Sequence, residues 1–499
     1  MLTKIIIILF AIYSSVFAQR RETILTYDKY MERIESLIPE MKLTASTESN
    51  AYNDLIRAKS SGDVKFDLQA GAIGTQNYFE QYNVEQYIFL PQSAFRYNGF
   101  RIGAGFSGLI PYSGTRWAVK IQHDGYFGDF DSGNISFPFT PMPGITWRFP
   151  SLRTNNFKYY SPSIKIEITQ PILRDFFGKL DRYPIKDAEY QLTIAKLKRM
   201  IDDNSVLNSY RKLYYQWIMA RKLVSFYNDM IKGAKDFENR AKRGYTNGVI
   251  DNDSYQNAIR QTLKYIEARD EAEIILKKVL RNIRFFIPET NTIPSERDWN
   301  NTLKNSMNAK IETVPFLESI QGQMAHQLKL RAEYGMTIIK NNSMPDLSIV
   351  GNLSLSALDD NGFFNSFASM TNLNYFVGLM FSYPIGGRDA KAKMMDAYAS
   401  LNAVSADYER VNRDYEIQIG IYYDEFQSYK KMLEIKKREI NAIVSKINTQ
   451  NEKFKQGRIP IDEIINSKLE LAKARAETLN LEYSIIRTVM DYNSLVMME

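Results

Sequence analysis

The chain has 499 residues and a formal charge of +7, from 64 Lys and Arg against 57 Asp and Glu. This small excess indicates a solvated helical surface and argues against a basic nucleic-acid-binding stripe. Cys is absent, which excludes disulfides and thiol catalysis, and the two histidines, His123 and His326, have no metal-binding companion at a usable spacing. We therefore expect no enzyme activity and no cofactor.

The start of the chain, residues 1–18, has the pattern of a secretory signal peptide. Lys4 precedes an apolar run that ends in Val16-Phe17-Ala18, a small-x-small cleavage pattern. No later apolar run is long enough for a membrane helix. We therefore expect export, and we expect any membrane crossing to be made by β-strands.

Two similar repeats follow, at residues 19–290 and 313–499, with a linker at 291–312. The pattern of each repeat predicts, in this order, a half-length helix, two strands, a long helix and a second half-length helix. The half-length helices are predicted at Thr26–Lys59, Asp251–Phe286, Ile311–Ile339 and Ile461–Met497, and the long helices at Arg174–Lys242 and Arg388–Gln456.

Two pairs of residues support the duplication. Pro171 and Pro384 stand where strand patterns change to helix patterns, and Gly244 and Gly457 follow the long helices. The offset in residue number is 213 within each pair, which is expected of a repeated unit. The first repeat also carries an insertion around residues 80–157. Its glycine- and aromatic-rich text predicts a hairpin from about Phe100 to Phe127.

The predicted strands alternate with period two. In "SIKIEITQ" the residues Ile164, Ile166 and Ile168 fall on one face, and Lys165 and Glu167 on the other. Similar alternation occurs at residues 64–69, 347–355 and 377–383. Strands of this kind suit a membrane barrel around a wet lumen, although a half-buried soluble sheet has the same pattern. Because four such strands cannot close a membrane barrel, we expect an oligomer.

The second long helix has apolar residues at strictly alternating steps of four and three, from Ala390 through Tyr408 to Tyr415. A period of 3.5 predicts coiled-coil packing. A long amphipathic helix in a soluble bundle remains the alternative.

Together these elements resemble the TolC-like outer-membrane efflux family over essentially the whole mature chain. The resemblance rests on "ITQPILRDFFGK" at the first strand-to-helix junction and on "KFKQGRIPIDEIINSKLELAKA", which is similar to the family's helix-hairpin tip. It implies a fold that is mainly α with membrane β: a homotrimer with a shared twelve-stranded barrel, continued by a periplasmic α-helical coiled-coil barrel.

The resemblance also implies a function and partners. The chain would be a passive outer-membrane exit duct that works with a periplasmic adaptor protein and an inner-membrane transporter in efflux or type I secretion. Glu463 and Asn466 fall where the family has acidic residues at the periplasmic constriction, and Asn466 in place of a carboxylate would weaken a cation-binding ring. Gly244, Gly457 and Arg458 fall at the helix tips where the adaptor docks, and Gly248 is a second candidate glycine at the first tip.

Plainer interpretations stay open for these residues and for the whole chain. Glu463 lies near a helix N-terminus, where the helix dipole alone favours a carboxylate. Gly244 and Gly457 can simply permit tight turns. The inserted hairpin fits either the barrel wall or a position outside it. The alternative for the whole chain is a soluble periplasmic coiled-coil scaffold that binds partners.

Overall fold

The structure is a computed structural model that describes residues 23–79, 83–84, 88–89, 93–131, 135–138, 146–149, 153–289 and 291–497, without the side chains of residues 75–97, 129–156 and 462. The predicted signal peptide, residues 1–18, lies outside the described residues. The described chain is mainly helical and also contains sheet, as predicted.

Long helices and hairpin-connected strands alternate along the chain. The helices are α1 (Tyr27–Leu37), α2 (Pro39–Lys59), α3 (Tyr183–Thr246), α4 (Asn252–Arg284), α5 (Glu296–Asn308), α6 (Ile320–Asn342), α7 (Arg388–Lys455) and α8 (Ile461–Val496). The strands are β1 (Thr23–Leu25), β2 (Lys65–Phe79), β3 (Asn83–Val84), β4 (Ile88–Phe89), β5 (Ser93–Ile110), β6 (Thr115–Asp131), β7 (Ile135–Pro138), β8 (Thr146–Phe149), β9 (Arg153–Pro171), β10 (Thr292–Pro294), β11 (Asp346–Ser356) and β12 (Asn372–Ser382).

The chain divides into two compact units. Residues 51–192 and 329–405 form the unit that contains the main sheet, and the described parts of residues 1–50, 193–328 and 406–499 form a helical unit. The long helices α3 and α7 each contribute residues to both units.

The main sheet has six strands in the order β12-β11-β9-β6-β5-β2, and every neighbouring pair is antiparallel. The inserted hairpin therefore lies within the sheet. Strands β5 and β6 stand between β2 and β9, and the hairpin predicted from Phe100 to Phe127 falls inside this pair. Strands β3, β4, β7 and β8 form a separate small sheet.

The turn between β5 and β6 packs closely against the chain that follows β9. Gly114 in the turn has a φ of +73°, and Gly178 after β9 has a φ of +62°. A Cβ on Gly178 would lie 1.9 Å from the carbonyl oxygen of Pro111, and one on Gly114 would lie 3.2 Å from the Cα of Gly178. Only glycine permits both the left-handed backbone and this close approach.

The helical unit has an apolar core around the start of the chain. Tyr30, Ile34, Tyr214 and Trp299 are essentially fully buried there. The Tyr214 hydroxyl lies 2.9 Å from the carbonyl oxygen of Leu25 and contacts the segment after β10, so the aromatic core includes satisfied polar groups.

The predicted linker at residues 291–312 is ordered in this unit. Its strand β10 pairs in parallel with β1, and its helix α5 contributes Trp299 to the apolar core. The indole Nε1 of Trp299 donates to Glu482 Oε2 on α8 at 3.2 Å. The segment thus connects the N-terminal strand to the C-terminal helix.

Three helices divide or begin differently from the sequence prediction, each for a local reason. The helix predicted at Thr26–Lys59 is two helices, because Pro39 disfavours helical backbone at Ile38, whose ψ is 117°. Helix α6 begins at Ile320 instead of Ile311. Ser319, the residue before this start, caps the helix, because its hydroxyl accepts the Gly322 N–H at 3.0 Å. Helix α3 begins at Tyr183 instead of Arg174, because left-handed residues interrupt the chain before it.

Helix α7 has the bounds that its apolar period predicts, to within one residue. The predicted seam residues Tyr415, Phe426 and Leu433 are buried, and Leu433 is fully buried. In the helical unit they pack on Phe316 and on the end of α8. The seam is therefore the inward side of the helix.

Candidate functional site

The six-stranded sheet has one apolar and one polar face. Residues paired in register project to the same side, so the pairings trace each face across the sheet. The apolar face carries Phe66 and Leu68 of β2, Ile102 and Phe106 of β5, Val119 and Ile121 of β6, Ile164, Ile166 and Ile168 of β9, Ile349 and Leu353 of β11, and Tyr375, Val377, Leu379 and Phe381 of β12.

The opposite face is mostly polar, with apolar exceptions such as Ile73, Val350, Phe376 and Met380. It carries Lys65, Asp67 and Gln69 of β2, Arg101 and Ser107 of β5, Lys120, Gln122 and Asp124 of β6, Lys165 and Glu167 of β9, Ser348 and Asn352 of β11, and Asn372, Asn374 and Ser382 of β12. Such a face can line a water-filled passage.

An ion pair crosses the inserted hairpin on the polar face. Arg101 Nε and Nη2 donate to the Oδ1 and Oδ2 atoms of Asp124 at 2.9 and 2.8 Å, in a bidentate arrangement. Gln122 and Tyr126 also donate to this carboxylate. Asp124 is buried beneath them, so the pair holds β5 and β6 together in addition to their backbone ladder.

Pro171 ends β9 and Pro384 follows β12, and the two strand-to-helix junctions that they begin are built differently. After Pro171, Asp175 and Phe177 are left-handed, with φ of 65° and 53°. The Asp175 Oδ1 accepts the Leu180 N–H at 2.5 Å, which holds this conformation in place. After Pro384 the left-handed residues are Gly386 and Gly387, which adopt that conformation without the steric cost.

The first junction also contains a titratable cluster. Arg116 Nη2 donates to Asp181 Oδ1 at 2.9 Å. Burial, together with a hydrogen bond to the neighbouring Asp175 carboxyl, nevertheless raises the pKa of Asp181 to about 6. The charge of this junction therefore changes in the mildly acidic range.

The second helix tip has the geometry of a tight helix C-cap. Gly457 has a φ of +69°, its N–H donates to the carbonyl of Phe454 at 2.9 Å, and the Arg458 N–H donates to the carbonyl of Lys453 at 2.9 Å. Gly457 and Arg458 thus lie in the turn between α7 and α8.

At the first tip the turn glycine is Gly248, which corrects the pairing of Gly244 with Gly457. Gly248 has a φ of +69°, whereas Gly244 lies within the last turn of α3, where a Cβ would meet Ile250 at 3.3 Å. The offset between the two turn glycines, Gly248 and Gly457, is therefore 209 instead of 213. The difference arises before the helices, because the segment from Pro171 to Tyr183 is eight residues longer than the segment from Pro384 to Arg388. The four extra residues of α7, which has 68 residues against 64 in α3, offset only half of this.

Glu463 and Asn466 lie on the exposed side of the first turns of α8, and Ile464 and Ser467 are buried on the other side. Asn466 Oδ1 accepts a hydrogen bond from Gln261 Nε2 of α4 at 2.9 Å. Glu463 and Asn466 therefore lie one turn apart on the same exposed strip of α8, and a hydrogen bond from α4 fixes the side chain of Asn466.

No protein-family model and no curated protein sequence matches the chain. Several solved structures match it in fold. The Campylobacter jejuni CmeC outer membrane channel is 11% identical, with a TM-score of 0.61, and the match covers 94% of this chain and 85% of that one. The outer membrane protein VceC from Vibrio cholerae is 11% identical, with a TM-score of 0.62 and coverages of 94% and 95%. The open state of the Neisseria gonorrhoeae MtrE outer membrane channel is 10% identical, with a TM-score of 0.61 and coverages of 94% and 88%.

The chain has the TolC-like channel fold. The resemblance predicted from the sequence is thereby confirmed at the level of the fold. Within this TolC-like fold the described main sheet has six strands per chain, two more than the four per chain that a twelve-stranded trimer requires.

Sequence reasoning did not identify the Arg101–Asp124 pair or the Gln261–Asn466 contact. The alternation in "GFRIGAG" places Arg101 on a polar face, but its partner depends on the hairpin register. Gln261 carried no signal, because its helix contacts α8 only in the folded chain.

In the described ranges, no group of three or more His, Cys, Asp or Glu side chains is arranged to hold a metal ion. None of the helices in the part of the chain that the structure describes combines the length and the apolar character that a membrane crossing demands.

Proposed function

We propose that this protein is a passive outer-membrane exit duct of a tripartite efflux pump or a type I secretion system. It is exported by its signal peptide and acts as a homotrimer. A periplasmic adaptor and an inner-membrane transporter supply energy and cargo, so the duct itself performs no catalysis. The outer-membrane channels that share its fold support this proposal.

The observation that carries the proposal is the apolar face of the sheet, which is exposed outside the patch around His123 that the connection between β11 and β12 covers. On β12 the side chains of Tyr375, Val377 and Leu379 are 77%, 75% and 71% exposed. A continuous apolar face of this kind is unfavourable in water and favourable against lipid hydrocarbon, with the polar face turned to a lumen. It favours the duct over a soluble periplasmic scaffold, whose sheet would need an apolar cover.

The gate in this proposal is the exposed strip of Glu463 and Asn466. Three copies of Glu463 near one axis form a ring of like charge, which attracts cations and resists crowding. Asn466 contributes no charge, so the ring has one carboxylate per copy. Movement of α8 against α4 opens the ring and breaks the contact with Gln261.

The tips are the proposed adaptor site. Gly457 and Arg458 lie in a turn without a bulky cap, and a Cβ on Gly457 would meet no atom within 4 Å. Gly244 instead admits Ile250 against the end of α3. Both tips therefore remain narrow, which suits docking between the helical hairpins of a partner.

Extraction and conductance together test the duct. We expect the protein to require detergent for extraction and to conduct ions when the purified protein is added to planar lipid bilayers. Recovery in the aqueous fraction would support the scaffold instead. A detergent-extracted trimer without conductance, even after disruption of the tip contacts by Gln261→Ala, would contradict the duct.

A matched pair of substitutions tests the gate. Glu463→Gln removes the charge ring, and we expect lower cation selectivity in a salt gradient. Glu452→Gln is the control, because this carboxylate lies near the same tip but pairs with Lys455 at 2.8 Å. Equal selectivity in the wild type and Glu463→Gln would remove the gate assignment and leave the duct itself in place.

A further inference from the structure

The two edges of the six-stranded sheet, β2 and β12, are the surface that the proposed duct leaves unexplained. We infer that β12 of one copy pairs with β2 of the next, so that three copies close an eighteen-stranded barrel. The β5–β6 hairpin of each copy is then part of the wall, and the barrel is wider than the twelve-stranded one that the resemblance implies. This inference rests on the proposed function.

Strand direction allows this closure. The six strands alternate in direction across the sheet, so β2 and β12, at opposite edges of an even set, run antiparallel. Pairing of β12 with β2 of the next copy then continues the same antiparallel pattern across the seam. Closed barrels with an even strand number in this range are typical of outer membranes.

The edge strand β12 lacks the features that protect sheet edges in soluble proteins. Soluble edges are usually short, bulged, or marked by Lys or Pro. Strand β12 pairs regularly with β11 over its whole length, and its sequence NLNYFVGLMFS contains neither Lys nor Pro. In the described residues its other edge has no strand partner. Such an edge is suited to pair with another strand.

The faces of the two edges also match. Leu373, Val377 and Leu379 of β12 lie on the same face of the sheet as Phe66 and Leu68 of β2. The opposite face is polar at the described part of the β2 edge from Lys65 to Gln69 and mixed at the β12 edge, where Phe376 and Met380 alternate with Asn374 and Ser382. A seam between copies therefore joins apolar face to apolar face and continues both a lipid-facing surface and a lumen.

The hairpin fits the wall better than a plug or an external appendage. Strand β5 pairs with the whole of β2 on one side and with the whole of β6 on the other. The two faces of the β5–β6 hairpin continue the two faces of the sheet. Phe106 and Ile121 lie on the apolar face, and Ser107 and Gln122 lie on the polar face. A plug would present polar side chains on both sides.

The strand number sets the width of the outlet. Barrel diameter grows roughly linearly with strand number, so eighteen strands give a barrel about 1.5-fold wider than twelve, with about twice the cross-section. The passage through the sheet then accepts bulkier cargo than a twelve-stranded outlet does.

Engineered cysteines test the seam without a background, because the chain has no native Cys. Lys65→Cys or Gln69→Cys in β2 is combined in turn with each polar-face position of β12, which covers the possible registers. We expect oxidation to link copies into covalent dimers and trimers for at least one combination. Lys120→Cys with Lys165→Cys, which are register partners, is the within-chain positive control.

Single cysteines and strand counting provide the second arm. In lipid vesicles we expect a membrane-impermeant maleimide to label Ser107→Cys and Gln122→Cys and to spare Phe106→Cys and Ile121→Cys. End-on averages of the purified trimer should show a barrel of the eighteen-strand diameter.

The outcomes separate the two proposals. A conducting trimer that forms no β2–β12 link, or that has a twelve-strand diameter, overturns this inference and leaves the duct. Equal labelling of both faces of the hairpin also overturns it. Failure to conduct or to require detergent rejects the duct itself.

Discussion

Gly178→Ala tests the contact that anchors the inserted hairpin. A left-handed alanine costs about 1–2 kcal/mol relative to glycine. Its Cβ would in addition lie 1.9 Å from the Pro111 carbonyl oxygen and 2.8 Å from the Gly114 nitrogen, so the turn between β5 and β6 must move. Overpacking of this kind typically costs about 1–3 kcal/mol. We expect a total loss of about 2–5 kcal/mol in local stability.

The second junction offers a matched control. Gly387 is also left-handed, with a φ of 55°, but a Cβ there would meet no atom within 4 Å. Gly387→Ala should therefore cost only the backbone term. Because Gly387 does not contact the turn between β5 and β6, the difference between the two variants at that turn is the whole loss of about 2–5 kcal/mol in Gly178→Ala, a roughly 30- to 5,000-fold change in its opening equilibrium.

Hydrogen–deuterium exchange of the peptide over residues 108–120 measures this difference. Amides that exchange by local opening report its free energy, and this readout does not require reversible unfolding of the whole protein. We expect faster exchange in Gly178→Ala and wild-type exchange in Gly387→Ala. Equal exchange in both variants would refute the close packing of the hairpin turn on the junction.

Three further predictions concern the junction, the core and the gate. The pKa of Asp181 is raised to about 6 in the folded chain, so its ionisation favours the unfolded chain and stability falls as the pH rises from about 4 to 6. Asp181→Asn should remove about 1–2 kcal/mol of this pH dependence, as measured by thermal denaturation at several pH values. An unchanged pH profile of stability would contradict the prediction. Leu433→Ala in the buried seam of α7 should destabilise the protein by about 2–5 kcal/mol in the same denaturation experiment. Glu434→Ala, at the exposed neighbouring position, should cost less than about 0.5 kcal/mol. Similar effects of the two substitutions would place Leu433 outside the core. Asn466→Asp should double the carboxylates at the proposed ring and strengthen channel block by divalent cations, and unchanged block would argue against its position at the constriction.

The sequence predicted elements whose pattern repeats over many residues. The steps of four and three gave α7 to within one residue, because a buried seam along a helix of 68 residues has many positions that must agree. The strand faces were predicted for the same reason. Pro171 and Pro384 marked the junctions, since proline cannot continue a ladder or a helix interior.

Backbone conformations that run against the usual preference of the residue could not be predicted from the sequence. "ILRDFF" reads as the start of a helix, yet Asp175 and Phe177 are left-handed there, and the Asp175 carboxylate stabilises that geometry only after the chain has turned. The choice between Gly244 and Gly248 depended on which residue ends α3. At the candidate gate, Glu463 and Asn466 were found by resemblance, while Gln261 is brought to Asn466 only by the packing of two helices.

The position of the insertion follows from the geometry of sheets. A hairpin adds two strands, so β2 and β9 remain antiparallel, as they would be if they were direct neighbours. The two edge strands of the sheet, β2 and β12, therefore also keep their antiparallel directions. A single added strand would make the proposed seam between copies parallel. Because residues in register share a face, the new strands also had to alternate in phase with β2 and β9, as Phe106 and Ile121 do. With the turn fixed against Gly178, the sheet gains two strands while the junction into α3 stays in place, so in the proposed duct the width of the outlet is set separately from the charge at the helix tips.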